Sequence, residues 1–284
     1  MSIRKSFIPA AIGLFTVLLL PAALVFATPK YKMTGKQQFR EYTAITYYDD
    51  QTGEGRIEIL KAGKPVYQKN ADGRCDIGTR LVEDDVPNAL TEMGKNITGN
   101  GIPNLVISEW TGGAHCCSNF HIFEIGPRFR FLAKIEAEHG ESSHFADLDG
   151  DQNLEFIGED WTFAYWHTSF VASPAPEIIL RFTAGKYRLA EDQMRKPPPS
   201  EAELNESIRQ IRTDESWKEQ RPPETLWGEM LDLIYSGNRA VAWQFFNKAW
   251  PAGIPGKAKF LSDFRAQLAE SPYWLQIQHL NASR

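Results

Sequence analysis

The sequence predicts a mainly β N-terminal domain of about three antiparallel, propeller-blade-like units, followed by an α-helical C-terminal region. Short β-type segments separated by Gly, Asp, Asn and Pro fill residues 28–195. Two similar stretches, starting at Asn96 and Asp147, lie 51 residues apart within them. After the prolines at 197–199 the apolar residues change to helical spacing.

The N-terminus predicts export. Arg4 and Lys5 precede an uncharged run, residues 7–26, and a small residue, Ala27, ends it. This pattern is typical of a signal peptide, residues 1–27, that is cleaved before Thr28. The alternative is an uncleaved anchor helix, because about 20 apolar residues can span a bilayer. We expect a periplasmic or extracellular protein without a membrane span after cleavage.

The β region is predicted from short segments in which polar and apolar residues alternate, such as GRIEIL and RFRFLAKIE. Hairpin turns are expected at Gly63 and Gly185, each inside an Ala-Gly-Lys sequence, because glycine tolerates positive φ. The strand candidates are residues 56–60, 65–68, 104–108, 120–125, 129–135, 155–159, 163–167, 177–182 and 187–189.

The C-terminal part is predicted as a Pro-rich linker with a short helix, residues 196–224, and a helical region, residues 225–284. Ser200 opens a helix-like run with acids in its first turn. A second helix places Leu226, Met230, Leu233 and Ile234 on one face, and Gly237 is its expected C-cap. Apolar spacing predicts two further helices, separated by Pro251.

The strongest local signal for chemistry is DLDGDQNLE, residues 147–155. Asp147, Asp149 and Asp151 alternate around Gly150, and Glu155 stands at the ninth position. A hard cation such as Ca²⁺ prefers several oxygen ligands on a curled loop. The alternative is a solvated turn without a metal.

This loop resembles the calcium loops of FG-GAP/VCBS-type repeats, the β-propeller blades of integrin α-chains. The resemblance covers roughly residues 94–160 and implies Asp147, Asp149, Asp151 and Glu155 as calcium ligands, although Gln152 replaces the usual glycine. The first copy, NITGNGIPN, has no carboxylate, so we expect it to be metal-free. Proteins of this kind are mostly exported binding or scaffold domains.

The three cysteines predict one disulfide, because an exported protein meets an oxidising compartment. The preferred pairing joins Cys75 to Cys116 or Cys117. A ring between the adjacent Cys116 and Cys117 is the alternative, although bridging neighbours requires distorted geometry.

Histidines are secondary candidates for a site. His115, His121, His139 and His144 lie close together in sequence, but their spacing matches neither a zincin helix nor a standard zinc set. No catalytic residue is assigned. The chain also lacks a nucleophile elbow or a Ser-x-x-Lys motif in its predicted mature part.

The sequence therefore favours an exported non-enzymatic binding or scaffold protein with a calcium-type loop. Its expected partner is a protein, a polysaccharide or an envelope component. A nucleic acid is not expected, because the net charge is −5 and no basic patch stands out. The alternative is an exported hydrolase with a site between Glu109 and His167.

Overall fold

A computed structural model describes residues 30–81, 86–113, 117–139 and 142–282. The predicted signal peptide and the alternative anchor helix lie outside these residues. The strands are β1 Lys32–Phe39, β2 Tyr42–Tyr48, β3 Gly55–Lys61, β4 Lys64–Ala71, β5 Arg74–Ile77, β6 Arg80–Leu81, β7 Val86–Pro87, β8 Asn104–Trp110, β9 Ser118–Ile125, β10 Phe129–Glu136, β11 His144–Ala146, β12 Glu155–Glu159, β13 Glu177–Thr183 and β14 Lys186–Leu189. The helices are α1 Glu191–Met194, α2 Glu201–Arg212, α3 Glu224–Tyr235, α4 Arg239–Ala249, α5 Lys257–Ala269 and α6 Trp274–Ala282.

Three antiparallel sheets of four strands each make up the β part. The first sheet has the order β1-β2-β3-β4, the second β10-β9-β8-β5, and the third β11-β12-β13-β14. A separate two-stranded sheet pairs β6 with β7. The coarse prediction of a mainly β part followed by helices is confirmed.

The predicted hairpin turns connect β3 to β4 and β13 to β14. Ala62 and Gly63 have φ values of 48° and 76°, and Ala184 and Gly185 have values of 52° and 85°. Two consecutive positive φ angles are typical of the tight turns whose twist matches that of the flanking strands. The sequence signal was sufficient here because the turn is local.

The sheets are held together by two apolar clusters. One lies between the first and second sheets and includes Tyr42, Ile59, Ile107 and Phe123. The other joins the opposite face of the second sheet to the third sheet and the helices. The second sheet is therefore covered on both faces, and seven of the eight residues of β9 are buried. The first sheet is covered on one face, so β3 alternates between buried and half-buried residues.

The helices begin and end largely where the sequence predicts. Ser200 caps α2 through a reciprocal pair of hydrogen bonds with Glu203. The chain leaves α3 through Gly237 at φ 79°, a left-handed position that favours glycine. Leu226, Met230, Leu233 and Ile234 are all buried, as their spacing predicts.

Asp160 connects the third sheet to the helices. This carboxylate directly follows β12, and its Oδ2 accepts hydrogen bonds of 2.5 Å from the hydroxyls of Tyr235 in α3 and of Ser271 after α5. The backbone N–H and the hydroxyl of Thr162 donate to its Oδ1. Although Asp160 is only 3% exposed, its oxygens therefore have four donors.

One predicted strand is absent, and six observed strands were not predicted. Residues 163–167 form turns between β12 and β13, and Tyr165 and His167 adopt positive φ. The aromatic residues here suggested a strand, but Phe163 and Trp166 instead pack against Phe264 of α5. The strands β1, β2, β5, β6, β7 and β11 were not predicted. No helix among the described residues has the length and apolar character needed to cross a membrane.

Candidate functional site

The two repeat stretches fold into loops that share three side-chain-to-backbone hydrogen bonds. The first loop, residues 96–104, precedes β8, and the second loop, residues 147–155, leads into β12. In each loop, the side-chain oxygen at position one accepts from the backbone N–H of position six. The side-chain oxygen at position five accepts from the N–H of position seven, and the one at position nine accepts from the N–H of position two. In the first loop these acceptor and donor pairs are Asn96 with Gly101, Asn100 with Ile102 and Asn104 with Ile97; in the second they are Asp147 with Gln152, Asp151 with Asn153 and Glu155 with Leu148.

The backbone curl is also shared. Positions four and six have positive φ in both loops: Gly99 at 70° and Gly101 at 79°, and Gly150 at 79° and Gln152 at 68°. Gln152 thus adopts a conformation that favours glycine. The replacement noted in the sequence does not remove the curl.

The second loop brings three of the four predicted calcium ligands together. One carboxylate oxygen each from Asp147, Asp149 and Asp151 lies within 4.8 Å of the others, in the only such group of at least three acidic, His or Cys ligands within the described ranges. Asp147 is half-buried, and Asp149 and Asp151 are exposed. Three hard oxygens on one face of a loop fit Ca²⁺ or another hard divalent cation.

Glu155, the fourth predicted ligand, points to an arginine instead. It is fully buried, and its Oε1 lies 2.6 Å from Nε of Arg181 on β13. The same guanidinium contacts Asp149 at 2.7 Å through Nη2 and Asp192 at 3.1 Å through Nη1. Although burial opposes its charge, the hydrogen bonds and charges of Glu155 and Asp192 raise the pKa of Arg181. The acidic loop therefore already has one internal positive charge.

The strand next to the last residue of each loop carries a charged side chain that complements the polar groups of that loop. Asn104 lies opposite Glu124 on β9, and Glu155 contacts Arg181 on the neighbouring strand β13. Glu124 accepts from the Asn100 amide at 2.8 Å and pairs with Arg130 at 2.6 and 2.7 Å. A neutral loop thus has a carboxylate partner, and the acidic loop has a guanidinium partner.

The predicted disulfide from Cys75 is wrong. Cys75 is a free, buried thiol in β5. It lies opposite Glu109 of β8, which lies opposite Asn119 of β9. Two strand spacings of about 4.8 Å therefore separate Cys75 from the strand that follows Cys117, beyond the roughly 7 Å that a disulfide allows between Cα atoms. Cys116 lies outside the described residues, so the ring between Cys116 and Cys117 stays a prediction.

The Cys75 thiol is also poorly suited to be a nucleophile. Burial, followed by the nearby charge of Glu109, raises its pKa to about 12. The thiol is therefore protonated at neutral pH, and only the thiolate is an effective nucleophile.

The histidines do not form a common site among the described residues. His121 is buried with its Nε2 2.7 Å from Oε2 of Glu109. His139 lies against the rings of Trp161 and Phe170. The Nδ1 of His144 lies 2.9 Å from the carbonyl oxygen of Ser142. His115 falls outside the described residues.

The Glu109–His121 pair is a buried side-chain contact between β8 and β9. Burial alone would raise the pKa of Glu109, but the hydrogen bonds from His121 and from the backbone N–H of Asp72 outweigh it and lower the pKa to about 2. Lys69 adds a positive charge at 3.9 Å. With Glu109 and His121 at most 2% exposed, this pair stabilises the fold and is closed to a substrate.

Sequence reasoning missed Arg181. Its single signal is a positive charge within an otherwise apolar strand, ILRFT. Recognising its role requires the pairing of β12 with β13, which sets Glu155 beside it. That pairing is a long-range property and cannot be read from the loop motif alone.

Comparison with known proteins gives no further assignment. The chain matches no family model, no curated protein and no solved structure.

Proposed function

We propose that this chain is an exported, non-enzymatic binding or scaffold protein of the FG-GAP/VCBS type, in which the three sheets are degenerate propeller blades. The observation that carries the proposal is the shared set of three hydrogen bonds and two positive φ positions in the two loops. Its partner is a protein, a polysaccharide or an envelope component outside the cytoplasm. The strand–loop repeat serves recognition, and the helices cover the last sheet.

The second part of the proposal is that the second loop binds calcium through Asp147, Asp149 and Asp151. The donor set fits, because all three side chains offer carboxylate oxygens close to one another. Glu155 stabilises the loop, because it accepts a hydrogen bond from the backbone N–H of Leu148 and pairs with Arg181. The neighbouring guanidinium weakens cation binding, so we expect an affinity at the weak end of the range for calcium loops, about 10⁻⁴–10⁻³ M.

Thermal unfolding in chelator and in millimolar calcium tests this site. A cation that binds only the folded protein stabilises it by about 1.4 kcal/mol at ten times the dissociation constant, or about 2–4 °C for each kcal/mol in a protein of this size. Asp149→Asn should abolish the calcium shift. Asp192→Asn is the matched control, because Asp192 also contacts Arg181 but lies outside the triad.

An unchanged melting temperature of the wild-type protein between the two buffers would remove the calcium site from the proposal. An equal calcium shift in wild type and Asp149→Asn would place the cation elsewhere. Magnesium at the same concentration serves as a second control, because it requires a smaller, octahedral site.

One observation favours the alternative, an exported hydrolase with a site between Glu109 and His167. Although Glu138 is exposed and Glu159 is half-buried, partial desolvation raises the pKa values of both carboxyl groups, and nearby acids add to the effect. A raised carboxyl pKa suits a general acid. Under this alternative, the protein hydrolyses chromogenic glycosides or esters, and Glu138→Gln or Glu159→Gln abolishes turnover without lowering the melting temperature. No turnover by the wild-type protein would exclude it for those substrates.

A further inference from the structure

A cleft lies between the two loops, with a volume of about 460 Å³. It is lined by Thr98, Asn100, Arg130, Asp151, Asn153 and Phe182. We propose that this cleft binds one neutral sugar unit of a saccharide. This inference rests on the proposed binding function and names the chemical class of its ligand.

The cleft is preformed because the two loops are fixed to each other. The backbone N–H of Leu154 donates to the carbonyl oxygen of Ile97 at 2.9 Å. The Asn153 amide, oriented by its hydrogen bonds, donates to the carbonyl oxygens of Ile97 and Thr98 at 3.2 Å each. At Gly99, a Cβ atom would lie 2.8 Å from Cβ of Asn153, so the loops could not approach this closely with a larger residue. A ligand would meet a rigid site and would lose little affinity to ordering it.

The charges of the cleft favour a neutral ligand. Arg130 is 57% exposed, but Glu124 already neutralises it through Nε and Nη2. Asp151 is the acidic residue on the opposite side of the cleft. An anion would meet Asp151 and a guanidinium that is already paired. A cation would face that guanidinium with only one carboxylate as its partner. A ligand without net charge avoids both repulsions.

The hydrogen-bonding groups favour a ligand rich in hydroxyls. Asp151 lines the cleft and uses Oδ1 to accept from the backbone N–H of Asn153, which leaves Oδ2 as a second acceptor. The Nη1 of Arg130 is not used in the pair with Glu124, so it can donate. Sugar hydroxyls both donate and accept, and can satisfy the two groups together. The half-buried Phe182 ring offers an apolar surface for the C–H face of a sugar.

The cleft and the triad share Asp151. A cation held by the triad would therefore lie beside the cleft and attract hydroxyl oxygens of the sugar. Saccharide affinity should rise with calcium, and calcium affinity should rise by the same factor with saccharide.

Isothermal titration of the protein with neutral hexasaccharides of cellulose, chitin, xylan and mannan, each in calcium and in chelator, tests the proposal. Hexagalacturonate serves as the acidic probe. We expect millimolar or tighter binding of at least one neutral probe and, in chelator, weaker binding of hexagalacturonate. Phe182→Ala and Asp151→Asn should each weaken the neutral probe about tenfold or more. Phe131→Ala, which removes a 47% exposed ring outside the cleft, should leave its affinity unchanged.

The proposal is overturned if none of the four neutral probes binds, if hexagalacturonate binds more tightly than all of them, or if a bound probe is unaffected by both cleft variants. Misfolding of Phe182→Ala would not leave the proposal untested, because Asp151→Asn is a second cleft variant. Asp151→Asn retains a side-chain oxygen that can accept from the backbone N–H of Asn153. Asp149→Asn separates this proposal from the calcium site, since Asp149 belongs to the triad but does not line the cleft. A calcium shift without saccharide binding refutes the cleft alone, and saccharide binding without a calcium shift refutes the calcium site alone.

Discussion

Replacing Arg181 with glutamine tests how the acidic loop is stabilised. In the wild-type protein this guanidinium contacts Glu155, Asp149 and Asp192 at 2.6, 2.7 and 3.1 Å. The substitution keeps a polar side chain but removes the positive charge. Glu155, which is fully buried, then loses its only cationic partner within the described residues.

The expected loss of stability follows from that burial. Removing one partner of a buried ion pair costs about 3–5 kcal/mol. Here the side chain of Arg181 is 20% exposed, and Glu155 retains the hydrogen bond from Leu148. We therefore expect a loss near the lower limit, about 3 kcal/mol, in chelator. The contact with the 64% exposed Asp192 adds little, because such pairs contribute about 0–1 kcal/mol.

The same substitution should strengthen calcium binding. A unit charge about 5 Å from the triad opposes a second cation by roughly 3 kcal/mol at an effective dielectric constant of 20, and water and salt reduce this figure at an exposed loop. About tenfold tighter binding is a realistic expectation. Calcium should then restore part of the stability that the substitution removes.

Denaturant unfolding monitored by tryptophan fluorescence, in chelator and over a calcium series, measures both effects. The control is Arg188→Gln, because Arg188 lies opposite Arg181 on β14 and is exposed. This variant removes the same charge without breaking a buried pair. Stability of Arg181→Gln within about 1 kcal/mol of wild type, or calcium binding no tighter than in wild type, would contradict this account.

Three further predictions concern other polar groups. Asp160→Asn should lower the free energy of unfolding by about 2 kcal/mol, because the amide has one acceptor oxygen and its NH2 group would face either the two hydroxyls or the two donors of Thr162; equilibrium denaturation measures the loss. The stability that ionised Glu109 contributes is fully present above pH 4.5 and should decline as pH falls towards 2, because its folded pKa is lowered. The advantage of wild type over Glu109→Gln should shrink by up to about 3 kcal/mol between pH 6 and pH 2. Gln152→Gly should raise stability by about 0.5–1 kcal/mol, since Gln152 has a φ of 68°, and Gly101→Gln should lower it similarly; thermal unfolding measures both.

Each of these has a control. Asp263→Asn removes a half-buried carboxylate that pairs with Lys259 on the helix surface, and a loss equal to that of Asp160→Asn would show that Asp160 does not connect the sheet to the helices more strongly than a surface acid. A wild-type advantage over Glu109→Gln that is constant from pH 6 to pH 2 would contradict the lowered pKa. For the loop pair, Gln152→Ala retains a Cβ at positive φ and should not stabilise. If it stabilises as much as Gln152→Gly, backbone strain is not the cause.

Features that depend on neighbouring residues could be predicted from the sequence. The Ala-Gly turns, the Ser200 helix start and the curl of the two loops are local. Features that depend on long-range pairing could not be predicted. The strand β5 follows the first sheet in sequence but pairs with β8 in the second, and this assignment separates Cys75 from its expected partners. Glu155 resembled a metal ligand because the loop motif alone does not show Arg181 beside it.

The one-sided burial of the first sheet limits how many sheets the chain can stack. Its outer face carries Glu58, which accepts hydrogen bonds from Tyr47 and Gln68, and Arg56 lies over the Tyr47 ring. A further sheet placed there would remove these charges from water, and the desolvation penalty would exceed what the new contacts contribute. This face therefore acts as an end cap, as polar terminal repeats do in solenoid proteins. Growth of the stack by adding another unit at the N-terminal end would first require these polar residues to become apolar.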